Sequence, residues 1–242
     1  MGYKKLMVGA DRFLALKWAN YAFELFQTNE DEDYLYHSLR AYLDSEIEGD
    51  VTSRKTSNHL KRLWLTKDDP YQTLRMAALA LPHARSPELL PILHLGLTMN
   101  VFPIYRETLR AIGTLERVIN PVPKGAVAER VLESFGSTSS VPRAVARIIQ
   151  TLEDWGFIEV EPKSLKLKHI ELQDHQLSAW LITALVMAND ANGIVLSELP
   201  LVPEKLGVKL PNPREVIRTS GNLSINRNLQ GLEVISIVVK NN

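Results

Sequence analysis

Arg143 and Arg147 stand four residues apart, in a stretch where Val145, Ile148, Ile149 and Leu152 recur at helical spacing. Both guanidinium groups therefore project one turn apart from the side opposite the apolar stripe. Planar forks so spaced suit phosphates and the acceptor edges of bases. Ser137, Thr138, Ser139 and Ser140 supply hydroxyls immediately before them. Lys163, Lys166 and Lys168 follow, the last two on one face of an alternating strand whose other face carries Leu165 and Leu167. A second group of donors lies earlier: Ser53, Arg54, Lys55, Thr56, Asn58, Lys61 and Arg62, anchored at the far end by Leu60, Leu63 and Trp64. That build, polar at the start of a helix and apolar at its end, is what a groove-reading helix needs. A solvated surface helix has the same composition. A third group is thinner: Arg214 and Arg218, four apart on a short helix, and Arg227 near a hairpin turn.

Other chemistry is missing. With no cysteine, disulfides, thiolate nucleophiles and cysteine-type metal sites are excluded. There is no Walker-type or dinucleotide-type glycine loop, no H-E-x-x-H and no G-x-S-x-G. The six histidines have no ligand spacing, and the carboxylates at 30–33 lack the pattern of a calcium loop. The expectation is a protein that is not an enzyme and takes no metal or cofactor.

The 242 residues suffice for one large or two small domains, and a hydrophobic share of 45% is that of a globular chain. The start lacks the apolar stretch of a signal peptide, and no run is long enough to span a bilayer. The expectation is a soluble, cytoplasmic protein. The 28 basic and 28 acidic residues cancel, but unevenly. Residues 1–50 hold five Lys/Arg and ten Asp/Glu, a balance of −5; residues 51–86 hold seven and two, a balance of +5. Two readings follow: a polyanion-facing segment beside an acidic one that faces a partner, or two solvated helix faces that pair with each other.

The elements that must position these groups are mainly helical. Two amphipathic helices fill the first 50 residues, the second opening at the acidic run where carboxylates suit the helix dipole. The donor-rich helix spans 53–65. Three apolar helices follow, over Leu74–Leu81, Leu89–Val101 and Ile104–Ile119. Residues 120–125 read as a turn or linker. Helices over Ala126–Phe135 and Val141–Trp155 come next, the second stopped by Gly156, and strands at 157–160 and 165–170 close a hairpin. The last stretch holds an apolar helix at Leu177–Ala188, a proline-broken segment at Val195–Leu206, a short helix at Asn212–Thr219 and a hairpin over Ser224–Val239. The fold expected is mainly α with small β-hairpins: a helical domain at 1–119, a unit at 120–172 and a C-terminal α+β module at 173–242.

Helix, polar turn, helix ending in Leu-Glu-Asp-Trp-Gly-Phe-Ile, then hairpin: the 120–172 unit resembles the winged helix-turn-helix. By that resemblance the second helix enters the major groove, with Ser137–Ser140, Arg143 and Arg147 toward the duplex and Lys163, Lys166 and Lys168 on flanking phosphates. Residues 173–242 are read either as a second winged-helix-like module or as a small cap that buries the final strand. Across roughly residues 35–160 the chain also resembles the small A component of BREX-type phage-defence systems. The similarity rests on Thr56-Ser57-Asn58-His59-Leu60-Lys61-Arg62-Leu63, the apolar helices around Leu89–Leu109 and Arg147–Ile158; the last 70 residues depart from it. It implies a non-enzymatic protein that binds double-stranded DNA within a multi-protein defence apparatus. Two alternatives stand beside it, an adaptor that binds other proteins through the same faces and a transcriptional repressor with a defined operator. Homo-oligomerisation is left open.

Overall fold

A computed structural model of the chain describes residues 9–28, 30–82, 86, 88–136, 138–189 and 193–238. Helices dominate, with small sheets at one end of the sequence. Among the described residues no helix is long and apolar enough to cross a membrane.

At the centre lies α5 (Leu90–Val101), in which every residue except Pro91 is buried. Its sequence is apolar on all sides, so only a position enclosed by other helices satisfies it. α9 (His175–Ala188) has the same character and packs along it. Several polar side chains in this interior are matched. Asn100 donates from Nδ2 to the carbonyls of Gly96 and, across the helix pair, Ala184 at 3.0 Å. Trp64 Nε1 donates to His94 Nδ1 at 3.0 Å, so the His94 proton sits on Nε2 and points at Asn20 Oδ1, 2.8 Å away. Burial pushes His94 down to about 3, and the ring stays neutral in the core.

α1 (Leu16–Gln27) packs on α5, and α2 (Glu32–Glu46) and α3 (Asp50–Leu60) pack on α1 and on each other. α2 starts where it does because Asp31 accepts the N–H groups of Asp33 and Tyr34. The end of α3 widens into a single π turn, Lys61–Leu65. Arg75, wholly buried on α4 (Gln72–Leu79), holds that turn. Its guanidinium donates to the carbonyls of Arg62, Leu63 and Thr66 and to Asp69 at 2.7–2.9 Å.

Beyond α5 the chain follows the same route twice. First come α6 (Pro103–Glu116), β1 (Val122–Pro123), α7 (Lys124–Phe135), α8 (Ser140–Asp154) and the hairpin β2–β3 (Ile158–Val160, Ser164–Leu167). β1 pairs with β3, so the sheet order is first, third, second. After β4 (Ile170–Glu171) come α9, β5 (Ile194–Val195), two 3-10 turns (Leu196–Leu201 and Pro203–Lys205), β6 (Val208–Lys209), α10 (Pro213–Thr219) and the hairpin β7–β8 (Leu223–Arg227, Glu233–Ile237). β5 pairs with β8, again giving first, third, second. β4 and β6 join the two units as a short parallel pair.

Three features differ from the sequence expectation. Val122–Pro123, read as linker, is the third strand of the first sheet, recruited by long-range pairing with Ser164 and Leu165. The proline-broken segment folds as 3-10 turns, because Pro200 and Pro203 lack the N–H that a longer helix requires. The strand read over 165–170 divides: β3 ends at Leu167, and Ile170–Glu171 pairs in parallel with β6 instead, a long-range contact that local pattern does not announce. The boundary drawn at residue 120 is crossed by packing of α6 on α7 and α8. It is also crossed by reciprocal bonds: Leu14 N–H to Thr151 Oγ1, and Trp155 Nε1 to the Leu14 carbonyl at 2.8 Å.

Candidate nucleic-acid interface

The first unit presents α8 outward. Val141, Ala144, Val145, Ile148, Ile149 and Leu152 are buried. Arg143, Ala146, Arg147 and Gln150 are exposed along the opposite side. Arg147 donates from Nη1 to Gln150 Oε1 at 2.9 Å, and no carboxylate among the described residues lies in ion-pair range of Arg143 or Arg147. Asp154, which by sequence dilutes the positive charge here, is engaged elsewhere: its Oδ2 accepts Leu16 N–H at 2.6 Å and caps α1 from 138 positions away. The turn leading into α8 exposes Ser139 and Ser140, and Ser140 Oγ donates to Thr138 Oγ1 at 3.3 Å. Ser137 lies outside the described residues.

The hairpin of this unit exposes Lys163 at its turn and Lys168 just past β3. Lys166 is already taken. Glu161 accepts from its Nζ at 2.8 Å, and that bond raises the lysine above its ordinary range.

α3 is less available than its composition implies. Ser53 and Thr56 are buried, Ser53 Oγ donating to Asp44 at 2.7 Å. Those two hydroxyls are therefore withdrawn from any external contact. Asn58 accepts from the Tyr36 hydroxyl at 2.7 Å, and Lys61 sits over the Tyr36 ring while paired with Glu32 at 2.9 Å. Arg40 binds both Asp44 and Asp50. Only part of the acidic charge is matched to the basic segment beside it: Glu32 pairs with Lys61 and Asp44 accepts from Ser53, whereas Arg40 with Asp44 and Asp50, and Lys17 with Glu46, pair within residues 1–50. Arg54 remains exposed, Lys55 is half-buried, and Arg62 lies over the Phe102 ring at 5.0 Å.

What the structure does bring together is the first half of α3 and the outer face of α8. Arg147 lines one hollow of about 290 Å³ with Thr52, Thr56 and Ile47, with Arg12 and Phe13 from the segment before α1, and with Trp18 from its first turn. Arg12 and Arg62 both lie near the buried His59 ring, whose charged form burial chiefly disfavours. Asp11, 3.1 Å from Arg12, is the local counter-charge. Arg12 escaped sequence reasoning because it belongs to no periodic element; only its proximity to Arg147 gives it meaning.

The chain matches no known family model, no curated protein and no solved structure.

In the second unit the cations are compromised. Both oxygens of Glu233 accept from Arg214, and Arg227 stands opposite the same Glu233 across the β7–β8 pair. Arg218 is exposed at the end of α10. The tip of this hairpin is apolar: Leu229 is fully exposed and Leu232 a little under half so.

Proposed function

We propose that the chain is a non-catalytic double-stranded DNA-binding protein, with residues 103–167 forming a winged helix-turn-helix and residues 175–237 a second, modified copy. α8 is the groove-facing helix and the β2–β3 hairpin the wing. The observation that carries this reading is the pair Arg143 and Arg147, exposed one turn apart on α8 with no carboxylate among the described residues in ion-pair range, and with Arg12 lining the same hollow as Arg147. The repeated chain route and the sheet closed by β1 support the fold assignment. Binding rests mainly on phosphate neutralisation, so affinity falls steeply with salt, by about 0.9 in the log–log slope per contact. In keeping with its resemblance to the small A component of BREX-type systems, the protein acts inside a multi-protein phage-defence complex.

Fluorescence anisotropy with a labelled duplex at several salt concentrations tests the reading. Micromolar or tighter binding at 50 mM salt that weakens with a slope of several units is expected; no binding to any duplex at that salt overturns it. Sharp selectivity in a pool of random duplexes would recast the protein as an operator-reading repressor. One observation favours a second reading, for the second unit alone. Leu229 and Leu232, exposed at a hairpin tip, suit contact with another protein better than contact with phosphate.

A further inference from the structure

Where the two units meet, α6 and the second 3-10 turn come unusually close. A Cβ on Gly113 would fall 2.3 Å from the Pro203 carbonyl oxygen, and one on Gly207 would fall 2.0 Å from the Lys168 carbonyl oxygen, so only glycine allows either approach. Arg110 locks the same joint by donating from Nε and Nη2 to Glu204, which is 1% exposed, at 2.8 and 2.7 Å. The β4–β6 pair closes it from the other side. The joint is therefore built, and a crevice of about 200 Å³ remains in it.

Its charged lining is lopsided. Arg117, Lys205 and Lys209 enter it with His169, against Glu116. Glu171 answers Lys209 at 3.3 Å. Lys205 is left with the Val208 carbonyl, 2.8 Å from its Nζ. Burial, and then the neighbouring Arg117 guanidinium, hold this ammonium below the ordinary lysine range. Two cations thus share a half-enclosed space in which each raises the cost of the other, and an oxyanion between them would relieve it. A guanidinium fork beside an ammonium is a usual phosphate-binding set.

We propose that this crevice binds a phosphate group through Arg117 and Lys205, with His169 and Lys209 at its rim. The chemistry is that of a phosphate monoanion or dianion. Its source is either the backbone of a bound duplex, in which case the site rests on the function proposed above, or a free phosphate-bearing small molecule.

Two arms of one experiment separate these sources. In the first, inorganic phosphate is titrated against chloride at matched ionic strength, and thermal midpoint and ³¹P line width are followed for wild type, Arg117→Gln and Lys205→Met. Saturable stabilisation of wild type in the millimolar range, lost in both variants, is expected. In the second, the same proteins are titrated with duplex. A three- to ten-fold loss and a salt slope lower by about one in each variant assign the site to backbone phosphate. Unchanged duplex affinity with lost phosphate binding assigns it to a free phosphate compound. A wild-type protein that binds phosphate here but no duplex sinks the DNA-binding reading and keeps the site. No saturable phosphate effect in wild type, or an effect that survives in both variants, overturns the site. Arg117 is exposed, so its variant answers the question even if Lys205→Met does not fold.

Discussion

The two units of the second half follow one chain route to different surfaces. In the first, the helix before the hairpin is the 15-residue α8; in the second it is the seven-residue α10. The preceding helix, α7, is 12 residues long, whereas its counterpart is a pair of 3-10 turns interrupted by proline. Their leading helices diverge as well. α6 keeps one polar side, while α9 is enclosed nearly all round and serves as core for the whole molecule. Charge follows the same split. α8 carries two arginines with no carboxylate among the described residues in ion-pair range, but in the second unit a single Glu233 occupies Arg214 and faces Arg227. Topology is thus shared while the means of meeting a polyanion are concentrated in one copy. The lesson is that a repeated scaffold sets where a helix lies, and the carboxylates around it decide whether it can act on a phosphate.

The strongest way to break this comparison is to separate the units. Arg110→Ala leaves the buried Glu204 carboxylate without its guanidinium, and a cost of about 3 kcal/mol in urea unfolding is expected. The corresponding change in the second unit, Arg214→Ala, removes an exposed pair and should cost less than about 1 kcal/mol. Equal losses would mean that the joint is no more than surface, and the two units would then have to be treated as independent.

The next test acts on function. Reversing Arg143 and Arg147 together to Glu should weaken duplex binding by about 100-fold at low salt, with the thermal midpoint retained. Reversing Arg214 and Arg218 together should change affinity by less than about threefold, since Glu233 already neutralises much of that surface. Equal effects would make the second unit a full partner in binding. The reverse ranking would move the interface to α10.

The sequence carried the first unit's helices well and its surroundings poorly. The spacing of Val145, Ile148, Ile149 and Leu152 reads directly as α8, and Gly156 as its stop, with φ of 82°. Arg143 and Arg147 followed from that period alone. Ser53 and Thr56 misled because hydroxyls are equally at home inside, and the Asp44 that binds Ser53 lies on another helix. Arg75 gave no sign of being wholly buried, since two of its acceptors are carbonyls of the π turn that ends α3. Arg12 joins the interface through tertiary proximity, and β1 exists only because β3 is there to pair with it. In each case the missing information was a contact between distant segments, to which periodicity is blind.

The smallest effect sharpens the comparison at the two hairpin tips. Lys163 stands exposed at the turn of the first, and Leu229 at the turn of the second. One phosphate contact removed by Lys163→Gln should lower the salt slope by about 0.9 and weaken duplex binding only a few-fold. Leu229→Ser should leave duplex affinity unchanged, and stability within about 0.5 kcal/mol, because a fully exposed side chain has little packing to lose. A change in salt slope on altering Leu229 rather than Lys163 would reverse the roles assigned to the two hairpins. If the slope responds only at Lys163, and self-association or partner capture falls only with Leu229, the wings have diverged by the rule that separates α8 from α10: the exposed side chain at each tip, not the hairpin that carries it, selects what is bound.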